Sequence, residues 1–115
     1  MGISKLNKGQ KSCKGGIYIF SGRADPTWQV AEVIAQRLEE IWDLLKPLTG
    51  ERPFAPPLGY RGCFLRCTND REWFAYGGAV TLRTGGGSES REDKDGNFEK
   101  LLLSSAPKGM FPVSF

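Results

Sequence analysis

Apolar residues recur at Val30, Ala31, Ile34, Leu38, Ile41, Trp42 and Leu45, at spacings of mostly three, four and seven. That period lays them along one stripe of a helix. Glu32, Gln36, Arg37, Glu39, Glu40 and Asp43 take the other side. The pattern predicts a helix over residues 27 to 46, capped by Asp25, with Pro26 at its first position and Pro47 as its stop. Ahead of it, Ile17, Tyr18, Ile19 and Phe20 form a β-branched and aromatic run, which predicts a buried strand over residues 16 to 20.

After the helix, Gly50, Pro53, Pro56 and Pro57 mark residues 48 to 58 as a restrained crossing loop. Residues 60 to 67 and 73 to 83 read as two strands, joined as an antiparallel hairpin by Thr68, Asn69, Asp70 and Arg71. Phe74, Tyr76, Val80 and Leu82 are assigned to one face, with a bulge or close backbone approach at Gly77 and Gly78. Residues 84 to 96 are rich in glycine and charge and read as a flexible loop. Residues 97 to 106 read as a short helix with Phe98, Leu101 and Leu102 inward, capped by Asn97 or Asp95, and residues 110 to 115 as a candidate edge strand.

This order predicts an α+β fold. The nearest pattern is a ferredoxin-like βαββα(β) two-layer sandwich, with an antiparallel hairpin and a long amphipathic helix on one sheet face. Its first and third strands would be central and parallel. The 115 residues fit one domain. The formal charge is +3, and Lys5, Lys8, Lys11 and Lys14 supply four positive charges before any acid, so the rest sums to about −1. The division predicted is a basic flexible arm over residues 1 to 15 and a single domain over residues 16 to 115.

Composition removes several chemistries. The chain has no histidine, so Ser-His-Asp, Cys-His and zincin sites cannot form within it. Cys13, Cys63 and Cys67 make an odd set without framework spacing, which predicts reduced thiols and a cytoplasmic protein. Cys63 and Cys67 would stand roughly 13 Å apart along a strand, and no set of metal ligands completes them. No metal and no cofactor is expected. No apolar run is long enough to span a membrane, and no apolar segment follows the first lysines as a secretory signal requires. The carboxylates are plentiful, but none falls in a spacing that demands an acid–base pair, so no catalytic residue is assigned.

The candidate chemistry sits at the bend Ser21-Gly22-Arg23-Ala24-Asp25-Pro26-Thr27-Trp28. Free amides at a helix start, a permissive glycine and a guanidinium fork suit an anion or small ligand. The same residues also suit a plain helix start, with Arg23 ion-paired and Trp28 plugging the core, and Asp25 at the cap would repel an anion. The residues alone leave both readings open. The basic arm, together with Tyr18, Tyr60, Phe64, Trp73 and Tyr76, invites a nucleic-acid reading. No RNA-recognition signature surrounds Phe64-Leu65-Arg66-Cys67, and the body is not basic.

The bend, Leu58-Gly59-Tyr60-Arg61-Gly62 and Trp73-Phe74-Ala75-Tyr76-Gly77-Gly78 together resemble a loosely defined group of small uncharacterised proteins. Those carry a strand, an SGRxxPxW bend and a helix, then LGYxG and WxxYGG segments in the same order. Ala24-Asp25 stands here where that pattern has proline and asparagine. The group has no established activity, so the resemblance implies no catalytic residue. It implies that the three segments act as one assembly, and it places Arg23, Trp28, Tyr60 and Tyr76 near one another. The candidate ligand-binding set is therefore Ser21, Gly22, Arg23, Trp28, Tyr60 and Tyr76. The leading expectation is a small non-enzymatic binding or adaptor domain that contacts another protein or a second copy of itself. The alternatives are an anionic small ligand at the Arg23 bend, with weak enzymatic use, and nucleic acid held by the basic arm.

Overall fold

Two hairpin signals organise the centre of the chain. Gly77 and Gly78 both have positive φ, 62° and 90°, which is the backbone of a type I′ two-residue turn. At Asp70, φ is 67°, the left-handed residue that closes a three-residue hairpin loop. The computed structural model describes residues 12–19, 25–51, 53 and 59–108 of the chain. Its strands are β1 (Cys13–Ile17), β2 (Thr27–Val30), β3 (Lys46–Pro47), β4 (Cys63–Cys67), β5 (Arg71–Tyr76), β6 (Ala79–Thr84) and β7 (Gly87–Glu92). The helices are α1 (Glu32–Leu44) and α2 (Asn97–Ser104). The seven strands form one sheet in the order β2-β1-β4-β5-β6-β7-β3, and every described pairing is antiparallel.

The ferredoxin-like βαββα sandwich is therefore overturned: no parallel pair stands at the sheet centre. Several local elements differ from the expectation. Thr27–Val30 is a strand because its side chains alternate outward and inward, and α1 starts only at Glu32. Asp25 caps no helix; its Oδ1 accepts the Ile19 amide at 2.8 Å. The predicted single strand over residues 73 to 83 is two strands, folded back at Gly77 and Gly78. The fold-back puts Phe74 and Tyr76 on one face and Val80 and Leu82 on the other. Residues 84 to 96 are not simply a loop, since Gly87–Glu92 pairs with β6 along its whole length. Residues 13 to 15 likewise belong to β1 rather than to an arm. The strand expected over residues 110 to 115 lies outside the described residues.

One face of the sheet is the core. Cross-strand rows on it read Trp28, Gly15, Leu65, Trp73, Leu82 and then Ile17, Cys63, Ala75, Val80. Onto them α1 lays Ala35, Leu38 and Trp42, and α2 lays Phe98 and Leu102. Arg91 of β7 places its guanidinium 4.2 Å from the Trp42 ring centre and donates to the Trp42 carbonyl at 2.8 Å. It thereby supplies, from the sheet, the cation that the last turn of α1 lacks. The start of α2 is held by Asp93, whose two oxygens accept the amides of Asn97, Phe98 and Glu99. The N-cap position is Gly96, and the acceptor for the first amides is Asp93 rather than Asn97 or Asp95.

Cys13 and Cys67 stand directly opposite on β1 and β4 and form a disulfide with Cα atoms 4.1 Å apart. Thr68 donates to the Ser12 carbonyl in the next pair, so the cysteines occupy a non-hydrogen-bonded pair, where facing side chains approach most closely. The disulfide overturns the expectation of reduced thiols. That expectation considered Cys63 with Cys67 along one strand, while the bond runs across strands, and only Cys63 stays free among the described cysteines.

Candidate binding face

The opposite face carries no helix among the described residues. The register defines two rows across it. Gln29, Lys14, Arg66, Glu72, Arg83 and Ser88 form one, each opposite the next on the neighbouring strand. Thr27, Gly16, Phe64, Phe74, Thr81 and Ser90 form the other. The first row is charged and the second aromatic at its centre.

The aromatic row is built on missing side chains. A Cβ on Gly16 would stand 2.0 Å from the Phe64 ring, so the ring lies flat on the β1 backbone. Gly15, facing the other way, accepts Trp28 in the same manner at 2.8 Å. The adjacent glycines thus let one strand carry a ring on each face. Tyr18 packs against both Phe64 and Phe74, with ring centres 5.1 and 6.0 Å apart. Phe64 is buried beneath its neighbours, while Tyr18 and Phe74 are half-buried.

The charged row leans on the rings. The Arg66 guanidinium sits 4.4 Å from the Phe64 ring centre and pairs with Glu72 at 3.0 Å. Lys14 lies directly opposite Arg66 on the other side, and Arg83 directly opposite Glu72. Three cations in this row face one carboxylate. Burial pushes the Tyr18 hydroxyl above its ordinary range, and Glu72 adds to the rise. Two recesses open on the face. A recess of about 80 Å³ is lined by Tyr18, Glu72, Phe74, Thr81 and Arg83. A wider one of about 490 Å³, beside the disulfide, is bounded by Ser12, Lys14, Gln29, Arg66 and Thr68.

Of the residues singled out from the sequence, Ser21, Gly22 and Arg23 lie outside the described residues. Tyr60 and Tyr76 meet, with ring centres 5.9 Å apart, and the Tyr60 hydroxyl donates to Glu99 Oε2. Trp28 is buried on the helix-bearing face, where its indole N–H donates to Ser105 Oγ at 2.9 Å. Tyr76 belongs to the opposite face. Lys14 entered the nucleic-acid reading as part of the basic arm, whereas Arg66, Phe74 and Arg83 were not assigned to a candidate site from the sequence. Their signal was the alternation of Phe64 and Arg66 with buried Cys63, Leu65 and Cys67, and of Glu72 and Phe74 with Trp73.

Near Tyr60 lies Cys63, whose Sγ is 3.9 Å from the Ala75 carbonyl. Burial pushes this thiol well above the usual cysteine range, with Glu99 and Asp93 adding to the rise. Burial likewise raises the Tyr60 hydroxyl, together with Cys63 and Glu99. Both groups are held protonated at neutral pH, the reverse of an activated nucleophile. No cluster of three His, Cys, Asp or Glu side chains suited to a metal occurs among the described residues. No helix among them is long and apolar enough to cross a membrane. No family model, curated protein or solved structure matches the chain.

Proposed function

We propose that the protein is a non-enzymatic binding domain that holds its partner on the open face of the sheet. The observation that carries this reading is the pair of rows on that face. Half-buried rings stand beside Lys14, Arg66 and Arg83, and both described helices pack on the other side. Like charges directly opposite on neighbouring strands destabilise a sheet. Lys14 opposite Arg66 is such a pair, and a partner that neutralises it offsets that cost. The protonated state of Cys63 and Tyr60 supports a role without nucleophilic chemistry. The Cys13–Cys67 disulfide, of a kind that persists in oxidising surroundings, lends no support to a reducing cytoplasm.

A photo-crosslinking amino acid placed at Ser88, beside Arg83 on the open face, tests this in cells. A second variant carries the probe at exposed Arg37 on α1. The reading predicts an adduct with a macromolecule from position 88 and none from position 37. Adducts from both positions alike, or from neither, would overturn it.

A further inference from the structure

We infer that the partner taken by this face is single-stranded nucleic acid, an inference that rests on the open face being the binding surface. The charged row provides cations along a line. Lys14, Arg66 and Arg83 sit on β1, β4 and β6, three strand steps in all, so the row spans about 14 Å at strand spacing. That equals about four stacked nucleotides at a rise of ~3.4 Å. The aromatic row runs parallel to it, two residues further along each strand, or about 7 Å away. A strand with phosphates on one side and bases on the other requires that arrangement of cations and rings.

The rings have the right character. Phe74 within the aromatic row and Tyr18 beyond its β1 end are half-buried, pack against each other and line the smaller recess. Arg66, held over Phe64 and clamped by Glu72, adds a flat guanidinium on which a base can also stack. Such platforms tolerate any base, because every base has a π-face. A duplex hides those faces in its own stack. An acidic peptide would satisfy the cations and leave the rings unused.

The test is fluorescence anisotropy with the full chain and labelled 12-mers of deoxythymidine and of uridine, a 12-base-pair duplex, and polyglutamate as competitor. The inference predicts that both single strands bind more tightly than the duplex and that polyglutamate competes poorly. Affinity should fall as salt rises, and Arg83→Ala should lower the slope of log affinity against log salt by about 0.7. Tyr18→Ala should weaken binding at least about five-fold at an unchanged slope, the loss of one stacking contact. Arg83 is exposed, so its variant reports even if the ring variant fails to fold. Absent oligonucleotide binding, equal affinity for the duplex, strong competition by polyglutamate, or indifference to Tyr18→Ala in a folded variant would each overturn the inference. Crosslinks from position 88 with no oligonucleotide binding would sink the nucleic-acid partner and leave the binding face standing. Absence of both would remove the face as well.

Discussion

Replacing Cys13 and Cys67 together by alanine removes the one covalent tie between the strand at the start of the described chain and the middle of the sheet. The bond joins residues 54 apart in sequence. In the chain-entropy account, a loop of that length restricts the unfolded ensemble by about 4 kcal/mol. Domains of this size are commonly stable by only about 5–15 kcal/mol, so the loss is a large fraction of the total. The strand being tied needs the help, because Gly15 and Gly16 lose more backbone freedom on ordering than any other residue type would. Equilibrium urea unfolding of the oxidised protein and of Cys13→Ala/Cys67→Ala measures the difference. The midpoint should fall steeply, and reducing the native protein should move it the same way. Alkylation of the denatured, unreduced protein should label Cys63 alone. Three alkylated cysteines without reductant, or a midpoint unmoved by the double substitution, would refute the reasoning.

Three further outcomes follow from the packing. Gly16→Ala drives a methyl group into the Phe64 ring and should cost about 1–3 kcal/mol by overpacking; combining it with Phe64→Leu should recover part of that, and strict additivity in the double-mutant cycle would count against the ring-on-glycine contact. Asp93→Ala strips three helix amides of their acceptor and should cost about 1–3 kcal/mol in thermal or urea melts, whereas Asp95→Ala should cost less than about 0.5 kcal/mol; equal costs would contradict the assigned acceptor. Because burial raises the Cys63 thiol, the folded state keeps a proton that the unfolded chain releases above about pH 8.5. The stability contributed is therefore full below that pH and is lost as pH rises toward the folded value, at about 1.4 kcal/mol per pH unit. Cys63→Ala should flatten that limb of the urea-midpoint profile, and an unchanged profile would assign the loss to other groups.

How far the sequence reveals the fold depends on the range of the signal. The α1 stripe was legible because Ile34, Leu38, Ile41 and Trp42 repeat at helical period over several turns, although buried Ala35 was not read as part of it. In α2, Phe98 and Leu102 were legible for the same reason. Thr27–Val30 was not, since Asp25-Pro26 imitates a helix start and four residues of alternation are too few to compete. Gly77-Gly78 carried a strong hairpin signal, and reading it as a bulge merged two strands into one. Gly87–Glu92 is polar throughout; its partner β6, not its own composition, makes it a strand. The Cys13–Cys67 bond depends on cross-strand register that no cysteine spacing records. The open face has the same origin. Phe64 and Arg66 could be seen to alternate, but only the β1–β4–β5–β6 register sets Lys14, Arg66 and Arg83 in one line.

The open sheet face, rather than the helices, is the surface proposed to meet a partner. Amide chemical-shift mapping by NMR, with the isotope-labelled protein and an unlabelled deoxythymidine 12-mer, addresses this directly. Shifts should concentrate at Lys14, Tyr18, Arg66, Phe74 and Arg83, with Glu32, Arg37 and Glu40 on the outer side of α1 unmoved. A spectrum unchanged at saturating oligonucleotide, or shifts gathered along α1, would contradict that proposal.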